Sequence, residues 1–131
     1  MKEMFDLMSP IQEKRLEDLV KSIVDKFNPL QILCYATNLR LDAAISCFSE
    51  LSLIESCDYE LLTVTEQWGS SEIELQEFTS DIYRSGSVTI LNLKKQDLEK
   101  AIHSNNLYIT TILKEGTVLY IADGFDIKLP E

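Results

Sequence analysis

The stretch SPIQEKRLEDLVKSIVDKFNPLQILCYAT, residues 9–37, constrains the fold more than any other part of the chain. Ser9 suits a helix N-cap and Pro10 the first helical position, where a missing N–H is no loss. Ile11, Leu16, Leu19, Val20, Ile23 and Phe27 then recur at helical spacing, which predicts an amphipathic helix with one face to bury. Asn28 precedes Pro29, whose ring pushes its neighbour out of helical backbone, so the helix stops there. Directly afterwards LQILCYAT is almost continuously apolar, the pattern of a strand covered on both faces. A helix that hands over to a doubly covered strand requires a layered architecture.

The rest of the chain continues the alternation. DYELLTVTE is a second strand, and GSSEIELQEFTSDIYRSG a helix opened by a capping box of Ser71 and Glu74, apolar along Leu75, Phe78 and Ile82, and ended by Gly86. SVTILNL is a third strand, KKQDLEKAIHSN a short helix, LYITTILKEG another helix ended by Gly116, and TVLYIAD a final strand. Between them, residues 38–56 read equally as a strand pair or as a helix, and periodicity leaves both open. The expected class is α/β (α+β), a mixed sheet with helices packed against it. At 131 residues and 45% hydrophobic, residues 1–131 form a single domain able to remove about two thirds of its unfolded surface from water.

Charge narrows the partners. There are 22 acidic and 12 basic residues, a net charge of −10. Such a field repels nucleic acids and anionic membranes, whose binding needs clustered lysine and arginine. It suits a basic protein partner, or a small anionic ligand met through a cation. Cys34, Cys47 and Cys57 are too far apart for a metal knuckle and read as buried thiols in a reducing compartment. The N-terminus has charges scattered through it rather than a signal peptide's apolar core, and no apolar run is long enough to span a bilayer. A soluble, cytoplasmic domain is expected.

The candidate chemistry centres on Asp58 and Glu60. Residues two apart on a strand point the same way, so these carboxylates can share a magnesium ion, a hard cation that takes oxygen ligands. The ordinary alternative is the solvated polar start of a strand. Asp42, Glu66 and Asp81 are further acids that could complete a ligand set. His103 reads as a favourable charge at a helix C-terminus, with no second histidine to make it a metal ligand. Trp68 reads either as an interface anchor or as the rim of the core.

FNPLQILCYAT, DYELLTV, SVTILNLKKQDLEKA and NNLYITTILKEGTVLYIAD, in this order, resemble a minimal nucleotidyltransferase domain of the polymerase-beta type. The resemblance runs from about Ile11 to Tyr120 and is greatest to divergent bacterial versions that precede an all-helical HEPN domain. It implies a nucleotidyltransferase-like mixed sheet, and that the chain is the N-terminal part of a longer protein. In that family a Gly-Ser turn follows the first strand, an Asp-x-Asp pair lies on the second, and a further Asp lies on a later strand. Here the turn falls on Ala36 and Thr37, with Arg40 beyond it as a candidate phosphate contact. The pair falls on Asp58 and Glu60, and the third carboxylate on Thr89.

A methyl at Ala36 obstructs the close approach of phosphate to backbone, and Thr89 carries no charge. The resemblance therefore implies a degenerate, non-catalytic domain without cofactor, acting as a regulatory or protein-interaction module with a protein partner or a C-terminal helical domain. Two alternatives stand beside it. One is a magnesium-dependent nucleotidyltransferase or nucleotide-binding sensor using Asp58 and Glu60. The other is an antitoxin-like partner of a helical HEPN protein.

Overall fold

The computed structural model describes residues 10–45 and 51–125. Its elements run α1 (Pro10–Phe27), β1 (Gln31–Ile45), β2 (Leu51–Thr65), α2 (Glu72–Ile82), β3 (Val88–Lys94), α3 (Lys95–His103), α4 (Leu107–Glu115) and β4 (Thr117–Ile121). The four strands form one mixed sheet in the order β3-β2-β1-β4, with β1 antiparallel to β2 and β4, and β2 parallel to β3. The alternation of helix and strand seen in the sequence is thus an α/β fold.

Helices cover both faces. On one, Leu16, Leu19 and Ile23 of α1 and Leu75 of α2 pack on Ile32, Cys34, Cys57, Tyr59 and Leu61. On the other, Leu98 and Ile102 of α3 and Ile109 and Ile112 of α4 pack on Leu33, Leu62 and Val64. This double covering explains why β1 begins as an unbroken apolar run rather than an alternating one. Phe27 and Phe78 meet edge to face at 5.2 Å and tie α1 to α2. Among the described residues no helix is long and apolar enough to cross a membrane.

Several local expectations change. Ser9 lies outside the described residues. The Ser71 hydroxyl accepts the Glu74 N–H at 3.2 Å, as a cap should, and donates to the Glu74 carboxylate at 3.4 Å. Helix α2 ends at Ile82, four residues before Gly86, and Ile82 is 42% exposed while Thr79 is buried instead. Trp68 is 96% exposed, so it does not close the rim of the core. The undecided segment is resolved at its two ends: residues 38–45 and 51–56 are backbone-paired as the outer half of a long β1–β2 hairpin. Because β4 reaches only Cys34 and β3 begins opposite Tyr59, this outer half extends past the four-stranded sheet as a two-stranded ribbon.

The two sheet edges differ. The outer edge of β3 is sealed by α2: the Gln76 amide donates to Val88 O at 2.7 Å and accepts from Ile90 N at 2.8 Å, and Glu72 accepts from Asn92 N at 2.9 Å. At the other edge β4 is short, and Val118 and Ile121 are about half exposed.

Candidate functional site

The site is built around an irregularity in β1. Cys34 pairs with Leu61, but Ala36 pairs with Glu60, so Tyr35 is one extra residue on β1. Such a bulge reverses which side chains face which way beyond it. Before it, Ile32 and Cys34 face α1 and α2; after it, Leu39 does. Thr37 lies opposite Tyr59, which is buried on that same face, so its side chain turns toward the α1–α2 layer. Its hydroxyl oxygen is sealed from solvent and makes no hydrogen bond of good geometry, although it lies near enough to the Cys34 thiol to favour the thiolate weakly.

The same reversal sets Ala36 and Asn38 on the other face, opposite Glu60 and Asp58 respectively. Thr89 on β3 lies opposite Glu60 from the other side. Ala36, Asn38, Asp58, Glu60 and Thr89 therefore share one face and line a cavity of about 300 Å³ together with Ser87. Asn38 is the residue that reasoning from sequence missed. Only the bulge brings it beside Asp58, and a bulge leaves no mark in a run as uniformly apolar as LQILCYAT.

Asp58 is held by the loop before β3. Its Oδ1 accepts the Ser87 N–H at 2.8 Å, while Cys57 N and Tyr59 N donate to Ser85 O and Ser87 O, each at 2.9 Å. Gly86 makes this approach feasible: its φ is +147°, and a Cβ there would lie 2.2 Å from Cys57 O and 2.9 Å from Asp58 Oδ1. Tyr83 closes the loop from beneath by donating its hydroxyl to Cys57 O at 2.6 Å. Burial, and then the neighbouring Cys57, pushes the Tyr83 phenol well above its usual range, so it stays a donor.

Of the sequence candidates, Ala36, Asp58, Glu60 and Thr89 come together on one face, and Thr37 adjoins them with its side chain turned away. Arg40 lies on β1 opposite Ser56, and its side chain falls outside the described residues, as does that of Asp42. Glu66 follows the far end of β2, roughly 20 Å of strand from Glu60. Asp81 is on α2, which packs on the opposite face. Among the described residues no group of three or more His, Cys, Asp and Glu side chains could hold a metal ion. The face thus offers two carboxylates and one amide, enough to hold a hydrated cation loosely but short of the three acids that clamp a pair of metals.

No family model matches the chain, and no curated protein or solved structure matches it either.

Proposed function

We propose that this chain is a degenerate nucleotidyltransferase-like domain that serves as a regulatory or protein-interaction module. The observation that carries the reading is the register of Glu60, which has Ala36 on one side and Thr89 on the other. In the fold the sequence resembles, those two positions hold the glycine of the phosphate turn and the third carboxylate; here no turn forms at Ala36 and Thr37, which lie at a bulge inside β1 and stay paired with β2 on to Ile45. Nucleotidyl transfer relies on metals clamped by carboxylates, with little covalent work for the protein to do. Losing one electrostatic group of this kind costs about 3–4 kcal/mol of transition-state stabilisation, on the order of 10²–10³ in rate. Two such losses, acting independently, compound to on the order of 10⁴–10⁶ in rate, and Asp58 is already engaged in holding the 85–87 loop.

A second reading has an observation of its own. Asn38, Asp58 and Glu60 share one cavity of about 300 Å³, which suits a sensor that binds a magnesium nucleotide without turning it over.

Calorimetric titration with magnesium or manganese plus ATP separates the readings, run on the wild type and on the Asp58→Ala/Glu60→Ala double variant with ATP consumption followed in parallel. The module reading expects neither binding nor turnover at millimolar ligand. Metal-dependent binding abolished in the double variant would replace it with the sensor, and turnover would replace it with an enzyme.

A further inference from the structure

The bulge that reorients Asn38 centres on a tyrosine, which keeps the facing that Leu33 has before it. Tyr35, the extra residue, sits next to the Ala36–Glu60 pair and on the face that carries α4. There it meets Tyr108 from the first turn of α4, with ring centroids 6.4 Å apart and planes at 79°. The two rings form a corner, and Tyr108 remains 60% exposed. From this corner a cleft of about 710 Å³ runs along α4 past Thr111 to Glu115 and Gly116. Glu60 is close enough to the corner to help raise the Tyr35 phenol pKa, after burial and Tyr108. Neither lysine nor arginine is among the residues lining the cleft.

We propose that this cleft receives an arginine side chain from a basic protein partner, with the guanidinium against the Tyr35–Tyr108 corner, Glu115 in the cleft wall and Glu60 on the strand beside Tyr35. This rests on the interaction-module reading and names the chemistry of its partner. Two rings at nearly a right angle offer a cation one π-face to stack on and a second to close over it. A planar guanidinium fits such a corner better than a compact ammonium, and its fork of donors matches a carboxylate. The cleft is far roomier than one guanidinium requires, and Leu107, 79% exposed at its rim, gives a polypeptide an apolar surface to cover. A net charge of −10 favours the encounter with a basic partner.

The test uses the full chain and an acetylated, amidated hexa-arginine peptide, with hexalysine, hexacitrulline and N-acetyl-arginine amide as comparisons. Binding is read by calorimetry and by the ring resonances of Tyr35 and Tyr108. Saturable 1:1 binding that shifts both rings is expected, with hexalysine several-fold weaker and hexacitrulline silent. Tyr108→Ala should weaken binding roughly tenfold and Tyr108→Phe very little, since the π-face and not the hydroxyl is used. Thr111→Arg, at an exposed position on the cleft wall, should block the peptide by supplying a guanidinium from the chain itself, with the melting temperature showing that the fold is kept. Equal affinity for hexalysine, indifference to both Tyr108→Ala and Thr111→Arg, or unmoved tyrosine rings would overturn the proposal in favour of diffuse attraction to an acidic surface. Binding of N-acetyl-arginine amide as tightly as the peptide would overturn it in favour of a small-molecule site. ATP turnover would remove the module reading whatever the peptide does, whereas a silent peptide titration without turnover removes only this inference.

Discussion

Asp58 and Ser87 are joined side chain to backbone, with Asp58 Oδ1 accepting the Ser87 N–H at 2.8 Å across the gap between β2 and the start of β3. A charge-assisted bond that ties a loop to a strand contributes to folding whether or not a ligand is ever bound. Asp58→Ala is therefore expected to lower stability by about 1–2 kcal/mol in urea denaturation. Asp58→Asn keeps the accepting oxygen and should lose less than about 1 kcal/mol. A carboxylate kept only for a ligand would behave differently, and an alanine variant as stable as wild type would deny it the structural role.

Gly86 lies in the same loop and has less latitude than any other glycine described. A side chain there meets Cys57 O at 2.2 Å, and its φ of +147° is a conformation that residues with a Cβ rarely adopt. Gly86→Ala is expected to destabilise by roughly 2–4 kcal/mol, through backbone strain and loss of the bonds from Cys57 N and Tyr59 N. Amide exchange at Cys57 and Tyr59 should speed up before exchange elsewhere in the sheet. Unchanged protection at those two amides would mean that the loop accommodates the methyl.

Cys34 makes stability fall in alkali. Burial pushes its thiol up from 9.0 to about 11, against smaller opposing effects of the Ala36 backbone and Thr37. A group whose folded pKa is raised binds its proton more tightly in the native state. Its contribution is complete below about pH 9 and is lost as pH rises through about 11. That contribution is about 2–3 kcal/mol. Urea midpoints should decline between pH 9 and 11, and less steeply in Cys34→Ala. Identical slopes in the two proteins would assign the decline to Tyr35, Tyr59 and Tyr83, whose phenols are also raised by burial.

Gln76 seals the β3 edge with both halves of its amide, to Val88 O and Ile90 N. An open edge strand is a template for pairing with another chain, so this side chain acts against aggregation as well as for stability. Gln76→Ala should cost about 1–3 kcal/mol for two lost bonds and expose the Ile90 amide to exchange. Gln76→Glu retains the acceptor for Ile90 N–H but sets a carboxylate against Val88 O, so Ile90 should stay protected while stability still drops. Ile90 protection kept in both variants would show that it is the helix position, and not the amide pair, that covers the edge.

What could be read in the sequence divides along physical lines. Helix α1 was legible because its entry, apolar stripe and stop are all local: Pro10, the Leu16–Leu19–Ile23 face and Asn28 before Pro29. The start of β1 was legible because coverage on both faces leaves a continuous apolar run, and the inner part of β2, β3 and β4 because short stretches rich in Leu, Ile, Val and Thr lie between turn and helix signals. Residues 38–45 and 51–56 were not, because what makes them strands is their backbone pairing with each other, as Leu41↔Glu55 and Ile45↔Leu51 show, and pairing by itself leaves no periodic apolar pattern to read. Glu60 and Thr89 could be set in correspondence by counting from neighbouring elements, and the register does bring them side by side. The bulge at Tyr35 escaped, and with it the facing of Thr37 and Asn38, while the meeting of Tyr35 with Tyr108 is a tertiary contact that no local pattern announces. A single inserted residue carries no periodic signal when both faces of its strand are apolar.

The register of Glu60 and Thr89 also gives the proposed loss of a third carboxylate a direct test. Thr89→Asp puts a third carboxylate on the face of Asp58 and Glu60, directly opposite Glu60 on a neighbouring strand. Without metal the new like-charge pair should lower stability by about 0.2–1 kcal/mol. With millimolar manganese the order should reverse, because three carboxylates on one face can ligate a divalent cation and a ligand that binds only the native state stabilises it by mass action. The melting temperature of Thr89→Asp should therefore rise with manganese concentration while that of the wild type stays level, and Glu60→Gln added to Thr89→Asp should cancel the rise. If Thr89→Asp melts lower than the wild type at every manganese concentration, these three positions do not converge on a common ligand point, and the reading of Thr89 as the lost third carboxylate fails with it.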